Sequence, residues 1–468
     1  MFSFSSKKRI YLDHASTTPI DKGVLRAMNE VYKNNYYNPG ALYAEGVSVS
    51  RIILESRTLV AKILGTTNEH IVFMRGGTES NNLALMGTVQ KFKELYSDVT
   101  PHIIISEIEH SAVLETAKHL AEKKEIELAI IPVDEEGIVD VSEIKKALRP
   151  ETILVSVMYV NNEIGTVQPI KEIAKLVRWY KKQKLQEENS GLKGLMAASK
   201  NKGQVYPLFH TDAIQATNYL EIGVEQLGVD LMSLSGSKIY GPKSSGVLYV
   251  RDRKLVGPMV FGGEQEFGLR AGTEDVASIV GFAKALEIAR GMSEAENNRL
   301  SELQKYFYGE LEKNISGMKI NGAWNTDSLN SARWEHTSSS ETKTKGASSL
   351  EFESRDGFKK ESGLRVCNNI NISIQGISSE RLVIELDAKG ICAASKSACR
   401  EESDEESYVI AALRKAQNSS SKTTEGSIRF TMGRGTTKGD VDKAVFALQA
   451  IVKAIRTFEA ILSVKEPI

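Results

Sequence analysis

Ser233-Leu234-Ser235-Gly236-Ser237-Lys238 places a primary amine just past a short apolar run, with hydroxyls beside it. A lysine so placed can condense with a carbonyl group while the hydroxyls hold a phosphate. Taken alone, the motif reads better as a solvated lysine in a Gly/Ser turn. A second candidate is Arg75-Gly76-Gly77-Thr78-Glu79-Ser80-Asn81-Asn82, between a strand pattern and a helix pattern. Small residues let the backbone approach an anion, and a helix start offers free N–H groups and a positive dipole end. Its plain alternative is a helix capped by Thr78 or Ser80. In His210-Thr211-Asp212-Ala213-Ile214-Gln215, an acid at the carboxyl end of an apolar strand can pair with a protonated ring nitrogen or simply cap a helix. His110, in Glu109-His110-Ser111-Ala112, can stack on a planar group or be a partly buried histidine.

Together, and in this order, these segments resemble the cysteine desulfurase family (NifS/IscS-like) of fold-type I pyridoxal-phosphate enzymes. Further matches are Tyr11-Leu12-Asp13-His14-Ala15-Ser16-Thr17-Thr18-Pro19, Asn161-Asn162-Glu163-Ile164-Gly165 and Gly268-Leu269-Arg270-Ala271-Gly272-Thr273. Ser397-Ala398-Cys399 and Ser427-Ile428-Arg429-Phe430 complete the set, which spans the chain apart from two polar insertions.

The resemblance implies pyridoxal 5'-phosphate as cofactor and L-cysteine as substrate. Lys238 resembles the cofactor-linked lysine that also moves protons, and His110 the ring-stacking histidine. Asp212 matches the partner of the ring nitrogen, Gln215 the donor to the phenolic oxygen, and Asn162 the amide near that oxygen and the substrate. Gly77, Thr78, Ser235 and Ser237 fall at phosphate-binding positions. Thr273 resembles a residue donated by a second subunit, which implies a homodimer. Arg429 takes the place of the substrate-carboxylate clamp, a task suited to a planar fork. Cys399 is the expected nucleophile, carrying sulfur as a persulfide to an acceptor protein such as an iron–sulfur scaffold or a tRNA-thiolation protein.

Among the three cysteines, Cys399 lies in polar sequence between Lys396 and the acidic Glu401, Glu402, Asp404, Glu405 and Glu406. Cys392, flanked by Ile391 and Ala393, reads as a buried thiol, and Cys367 is ambiguous. Two positions depart from the family pattern. Ser237 stands where histidine usually precedes the lysine, and Glu264 where a third glycine is common. The alternatives on the same scaffold are a selenocysteine lyase or β-lyase, an aminotransferase, and a binding scaffold without activity.

Positioning such residues takes an α/β fold. Short runs apolar on both faces alternate with helical patterns from about residue 68 to 249, as in a covered, mostly parallel sheet with ligands at its carboxyl edge. The expected strands are His70–Met74, His102–Ser106, Leu128–Pro132, Ile153–Tyr159, Leu208–Thr211, Leu231–Leu234 and Gly246–Val250. Helices are expected over Ser80–Leu95, Ser111–Lys123 and Lys171–Gln183. Residues 15–275 are expected to form a large cofactor domain, and 1–14 with 276–468 a smaller α+β domain. Polar stretches at about 183–204 and 324–363 read as surface loops, the second partly disordered.

The chain has 468 residues, 41% of them hydrophobic, enough for more than one core. Lys+Arg and Asp+Glu both number 60, a balance that argues against a nucleic-acid or anionic-membrane footprint. Three cysteines form neither a disulfide framework nor a metal motif, so no metal is expected. Without a signal-like or membrane-spanning apolar run, the sequence reads as cytoplasmic.

Overall fold

The computed structural model describes residues 9–189, 206–324, 364–396, 407–417 and 425–463. Its centre is a seven-stranded sheet of β2 (Ile71–Met74), β3 (His102–Ser106), β4 (Glu127–Ile131), β5 (Thr152–Ser156), β6 (Leu208–Asp212), β7 (Leu231–Ser235) and β8 (Gly246–Val250). The spatial order is β2-β8-β7-β6-β5-β3-β4. β8 runs antiparallel to both neighbours, and every other pairing is parallel. The strands other than β4 are buried along their length because helices cover both faces, which explains their unbroken apolar runs. β4, at the edge opposite β2, is partly exposed.

A strand β1 (Ile10–Tyr11) pairs in parallel with β11 (Ile391–Cys392). A second, antiparallel sheet holds β9 (Met318–Ile320), β10 (Asn369–Gln375) and β12 (Glu425–Thr431), with β10 in the middle. One long helix, Val276–Asn314, runs for 39 residues. It packs on the helices Lys22–Asn34, Ala44–Leu64 and Lys438–Ser463.

Three expectations change. The strand expected over Ile153–Tyr159 is β5, Thr152–Ser156, although Val157 N–H and Tyr159 N–H still donate to His210 O and Asp212 O of β6 beyond its end. The helix Ile170–Asn189 runs into the polar stretch read as loop; polar composition did not break it because no glycine or proline interrupts it before Asn189. The helix after β2 begins at Gly77 and changes to a π-helical turn over Leu83–Gly87 before resuming at Thr88. Residues 190–205 and 325–363 lie outside the described residues. Among the described residues, no helix is long and apolar enough to cross a membrane.

Candidate active site

The site gathers at the carboxyl ends of β5, β6 and β7, with the N-terminal turn and β12 closing over it. β6 ends on Asp212, whose carboxylate accepts from Asn81 Nδ2 at 2.7 Å and from Ile214 N at 3.0 Å. Burial pushes its carboxyl above the ordinary range, while nearby His110 and Lys238, together with the two hydrogen bonds, pull the other way. A buried carboxylate held by two hydrogen bonds, with Lys238 nearby, suits a protonated ring nitrogen.

β7 delivers Ser235 and then a short turn, Gly236–Lys238. Ser235 Oγ and Ser237 Oγ lie 3.1 Å apart. Lys238 Nζ donates to the main-chain O of Ser16. Across from Ser235 is the start of the helix at Gly77, where a side chain has no room: an added Cβ would stand 2.1 Å from Ile214 Cδ1 and 3.6 Å from Ser235 Cβ. The preceding Gly76 has φ 104°, which lets the strand turn sharply into the helix. Gly77, Thr78, Ser235 and Ser237 therefore sit around one corner with free helix N–H groups, a place for a phosphate.

His110 precedes the helix Ser111–Glu122 and caps it: its Nδ1 accepts from Ala112 N at 3.1 Å, which puts the ring proton on Nε2. Gln215 Nε2 donates to Ala15 O at 2.9 Å, leaving its second N–H. Asn162 is buried, and its Oδ1 has no hydrogen-bond partner among the described residues. The adjacent Asn161 fixes this turn by donating to Ile108 O and accepting from Glu163 N and Ile164 N.

Arg429, on β12, is 1% exposed. Its Nη1 donates to Asn162 O at 3.0 Å, and its Nη2 to Asp13 Oδ1 at 2.7 Å and to Ser16 Oγ at 2.9 Å. Lys238, Gln215 and Arg429 thus all fasten on the Asp13–Ser16 turn. Thr273 is exposed and has no hydrogen bond to this cluster.

Cys399 lies outside the described residues, but both flanking attachments are at the site. On one side Ala394 pairs with Arg429 through main-chain hydrogen bonds. On the other, Ser407 Oγ donates to Glu163 and Tyr408 OH to the main-chain O of Glu109. Of the other two cysteines, the one left ambiguous by the sequence is the more buried, and Cys392, expected to be buried, is less so. Cys367 is deeply buried against Asn297 Oδ1, and burial pushes its thiol up to about 12. Cys392 is only half-buried, because the short β11 leaves one side open. Burial raises its thiol too. Neither favours the reactive thiolate.

Sequence reasoning did not assign roles to Asp13, Ser16, Asn81, Glu163 or Ser407. The first four stood inside quoted motifs, so the signal was the motif itself; their contacts are long-range and carry no local pattern.

The class-V aminotransferase model matches residues 10–184 and 192–333. The chain is 37% identical over 451 residues to cysteine desulfurase IscS of Dictyoglomus turgidum, covering 96% of each chain. It is 34% identical to cysteine desulfurase IscS of Methanosarcina thermophila, over 97% of this chain and 94% of that one. Among solved structures, a NifS-like protein superposes with a TM-score of 0.75 at 27% identity, over 95% of this chain and 100% of the other. SspA in complex with cysteine gives 0.66 at 27% identity, over 90% and 98%. The site and the full-length likeness agree, and the chain belongs to the class-V aminotransferase family of pyridoxal-phosphate enzymes, in its NifS/IscS cysteine desulfurase group.

Proposed function

We propose that the protein is a pyridoxal-phosphate-dependent cysteine desulfurase that converts L-cysteine to L-alanine and carries the sulfur as a persulfide on Cys399. The observation that carries this reading is the convergence of Lys238 and Arg429 on Ser16, beside the buried Asp212. An amine for the cofactor and a fork for a carboxylate are thereby held on one turn.

When bound, the cofactor supplies an electron sink that labilises the substrate Cα–H and weakens the Cβ–S bond. Asp212 keeps the ring nitrogen protonated, and His110 covers the ring. The second N–H of Gln215 and the side-chain amide of Asn162 serve the phenolic oxygen. Gly77, Thr78, Ser235 and Ser237 hold the phosphate. Arg429 and Asn162 orient the substrate, and Lys238 takes the Cα proton and returns protons to the alanine fragment. The Cys399 thiolate attacks the substrate sulfur: the Cβ–S bond breaks, an S–S bond forms, and the remainder leaves as alanine.

Residues 15–275 act as the cofactor domain and 1–14 with 276–468 as the smaller domain. In a homodimer, Thr273 serves the second subunit's phosphate. Its exposure supports this, as do the exposed apolar Leu42, Tyr43, Val47, Phe261 and Phe267. The persulfide passes to a sulfur-acceptor protein in the cytoplasm, an iron–sulfur scaffold or a tRNA-thiolation protein.

The test is alanine release from L-cysteine by the holoenzyme with a thiol reductant. Cys399→Ser should keep the visible absorbance of the bound cofactor yet make no alanine, and Lys238→Ala should lose both. Full activity in Cys399→Ser would reject the nucleophile and favour a lyase using selenocysteine. Keto acid in place of alanine would favour an aminotransferase.

A further inference from the structure

A guanidinium has five N–H donors, and a carboxylate can take two parallel hydrogen bonds from only two of its edges. One edge is formed by Nε and Nη2, the other by Nη1 and Nη2. Both need an Nη2 hydrogen. In Arg429 the two Nη2 hydrogens are committed to Asp13 Oδ1 and Ser16 Oγ, while Nη1 gives one to Asn162 O. Nε, buried, has no partner among the described residues. The donors left over, Nε–H and one Nη1–H, share no edge. A carboxylate can dock in two-toothed fashion only by exchanging for Asp13 or Ser16.

We propose that Asp13 is a specificity-determining positioning residue, a resident carboxylate that holds Nη2 of Arg429 until a substrate carboxylate replaces it. The proposal rests on reading Arg429 as the substrate-carboxylate clamp. Exchange keeps a buried guanidinium paired before and after binding, whereas an empty fork would leave an uncompensated charge in the interior. It also sets a threshold: a ligand without a carboxylate, or with one that makes a single hydrogen bond, does not displace Asp13. Once displaced, the Asp13 carboxylate keeps a partner, since Ser16 Oγ lies 2.9 Å from its Oδ1. Asp13 is partly exposed, with 18% of its side-chain surface open, so it has room to withdraw.

The probe is 3-mercaptopropionate, which has a carboxylate and a thiol but no amine to condense at the cofactor. Its dissociation constant is measured by calorimetry on the pyridoxal-phosphate-loaded protein. Asp13→Asn removes the resident charge while keeping the shape, so binding should tighten at least fivefold. KM for L-cysteine should fall in step, with kcat little changed. A merely structural role predicts the opposite sign, because a loosened Arg429 binds a carboxylate less well. Asp13→Ala also removes the resident carboxylate and should tighten binding in the same sense, which provides the test if Asp13→Asn does not fold. Arg429→Ala should abolish binding. Unchanged or weaker binding in Asp13→Asn, or in Asp13→Ala where Asp13→Asn does not fold, while Arg429→Ala still abolishes it, overturns the exchange. Wild-type binding in Arg429→Ala overturns the clamp reading itself, and the exchange with it.

Discussion

The imidazole of His110 accepts the main-chain N–H of Ala112 through Nδ1, so one side chain both caps a helix and faces the site. The two duties separate by substitution. His110→Ala should lose the cap, about 0.5–2 kcal/mol of stability, along with the ring. His110→Asn restores a capping oxygen but no ring. Its denaturation midpoint should stay near that of the wild type while alanine formation falls as far as in His110→Ala. Equal destabilisation of both variants would show that the cap contributes nothing.

Glu109 is fully buried, with Oε1 accepting from Ser106 Oγ and from Met158 N at 2.8 Å. Its Oε2 has no partner among the described residues. Burial pushes its pKa up to about 8, against the pull of those hydrogen bonds. A carboxyl raised in the folded state favours folding fully below its unfolded pKa, near 4.5, and loses that contribution as pH rises through about 8. Wild-type stability should therefore decline from pH 6 to pH 9. Glu109→Gln, which stays neutral, should flatten the profile and be more stable at pH 9 by roughly 1–3 kcal/mol, with the gap closing toward pH 5. Parallel urea-denaturation profiles for the two proteins would contradict this.

Which parts of this arrangement the sequence exposes follows from the range of the interaction. β3 and β8 are read to the residue because burial on both faces writes itself as an unbroken apolar run. Lys238, Asp212 and His110 stand at strand or helix ends, where an ordinary turn, cap or buried histidine reads at least as well locally; only the set of motifs in order, through the family resemblance, singles them out. The Asp13–Arg429 pair joins positions 416 residues apart, and no period or turn signal encodes such a contact. Burial of Cys367 rather than Cys392 is likewise decided by what packs from elsewhere, the helix carrying Asn297. The polar face of Ile170–Asn189 misled because composition reports exposure, and an exposed helix is as polar as a loop.

Glu266 illustrates an interior charge with a structural duty. Its carboxylate pairs with Arg57 at 2.6 Å and accepts Phe73 N at 2.7 Å. The Arg57 guanidinium lies 4.8 Å from the ring centroid of Phe73 and 5.1 Å from that of Phe267. Glu266 and Phe267 adopt φ 47° and 60°, a left-handed backbone that these contacts must hold. Glu266→Ala strands a buried cation and should cost about 3–5 kcal/mol. Replacing both partners with apolar residues, Arg57→Met with Glu266→Leu, should recover part of that loss. A double variant less stable than Glu266→Ala in urea denaturation would show that the pair itself is net stabilising.

Ser237 occupies the position where the family usually carries histidine. It is partly exposed, and its hydroxyl lies 3.1 Å from that of Ser235 at the phosphate corner. A neutral hydroxyl contributes one hydrogen bond, about 0.5–1.5 kcal/mol. Ser237→Ala should then raise the cofactor's dissociation constant by roughly two- to tenfold. Ser237→His has solvent-side room for the larger ring and brings a cation to a dianionic group, a stronger charge-assisted bond. It should bind the cofactor more tightly than the wild type, the more so as pH falls through the histidine range near 6.5. Fluorescence titration of the apoprotein with pyridoxal phosphate measures both. If Ser237→Ala binds as the wild type does and Ser237→His gains nothing at pH 6, then the side chain at 237 does not reach the phosphate in this protein.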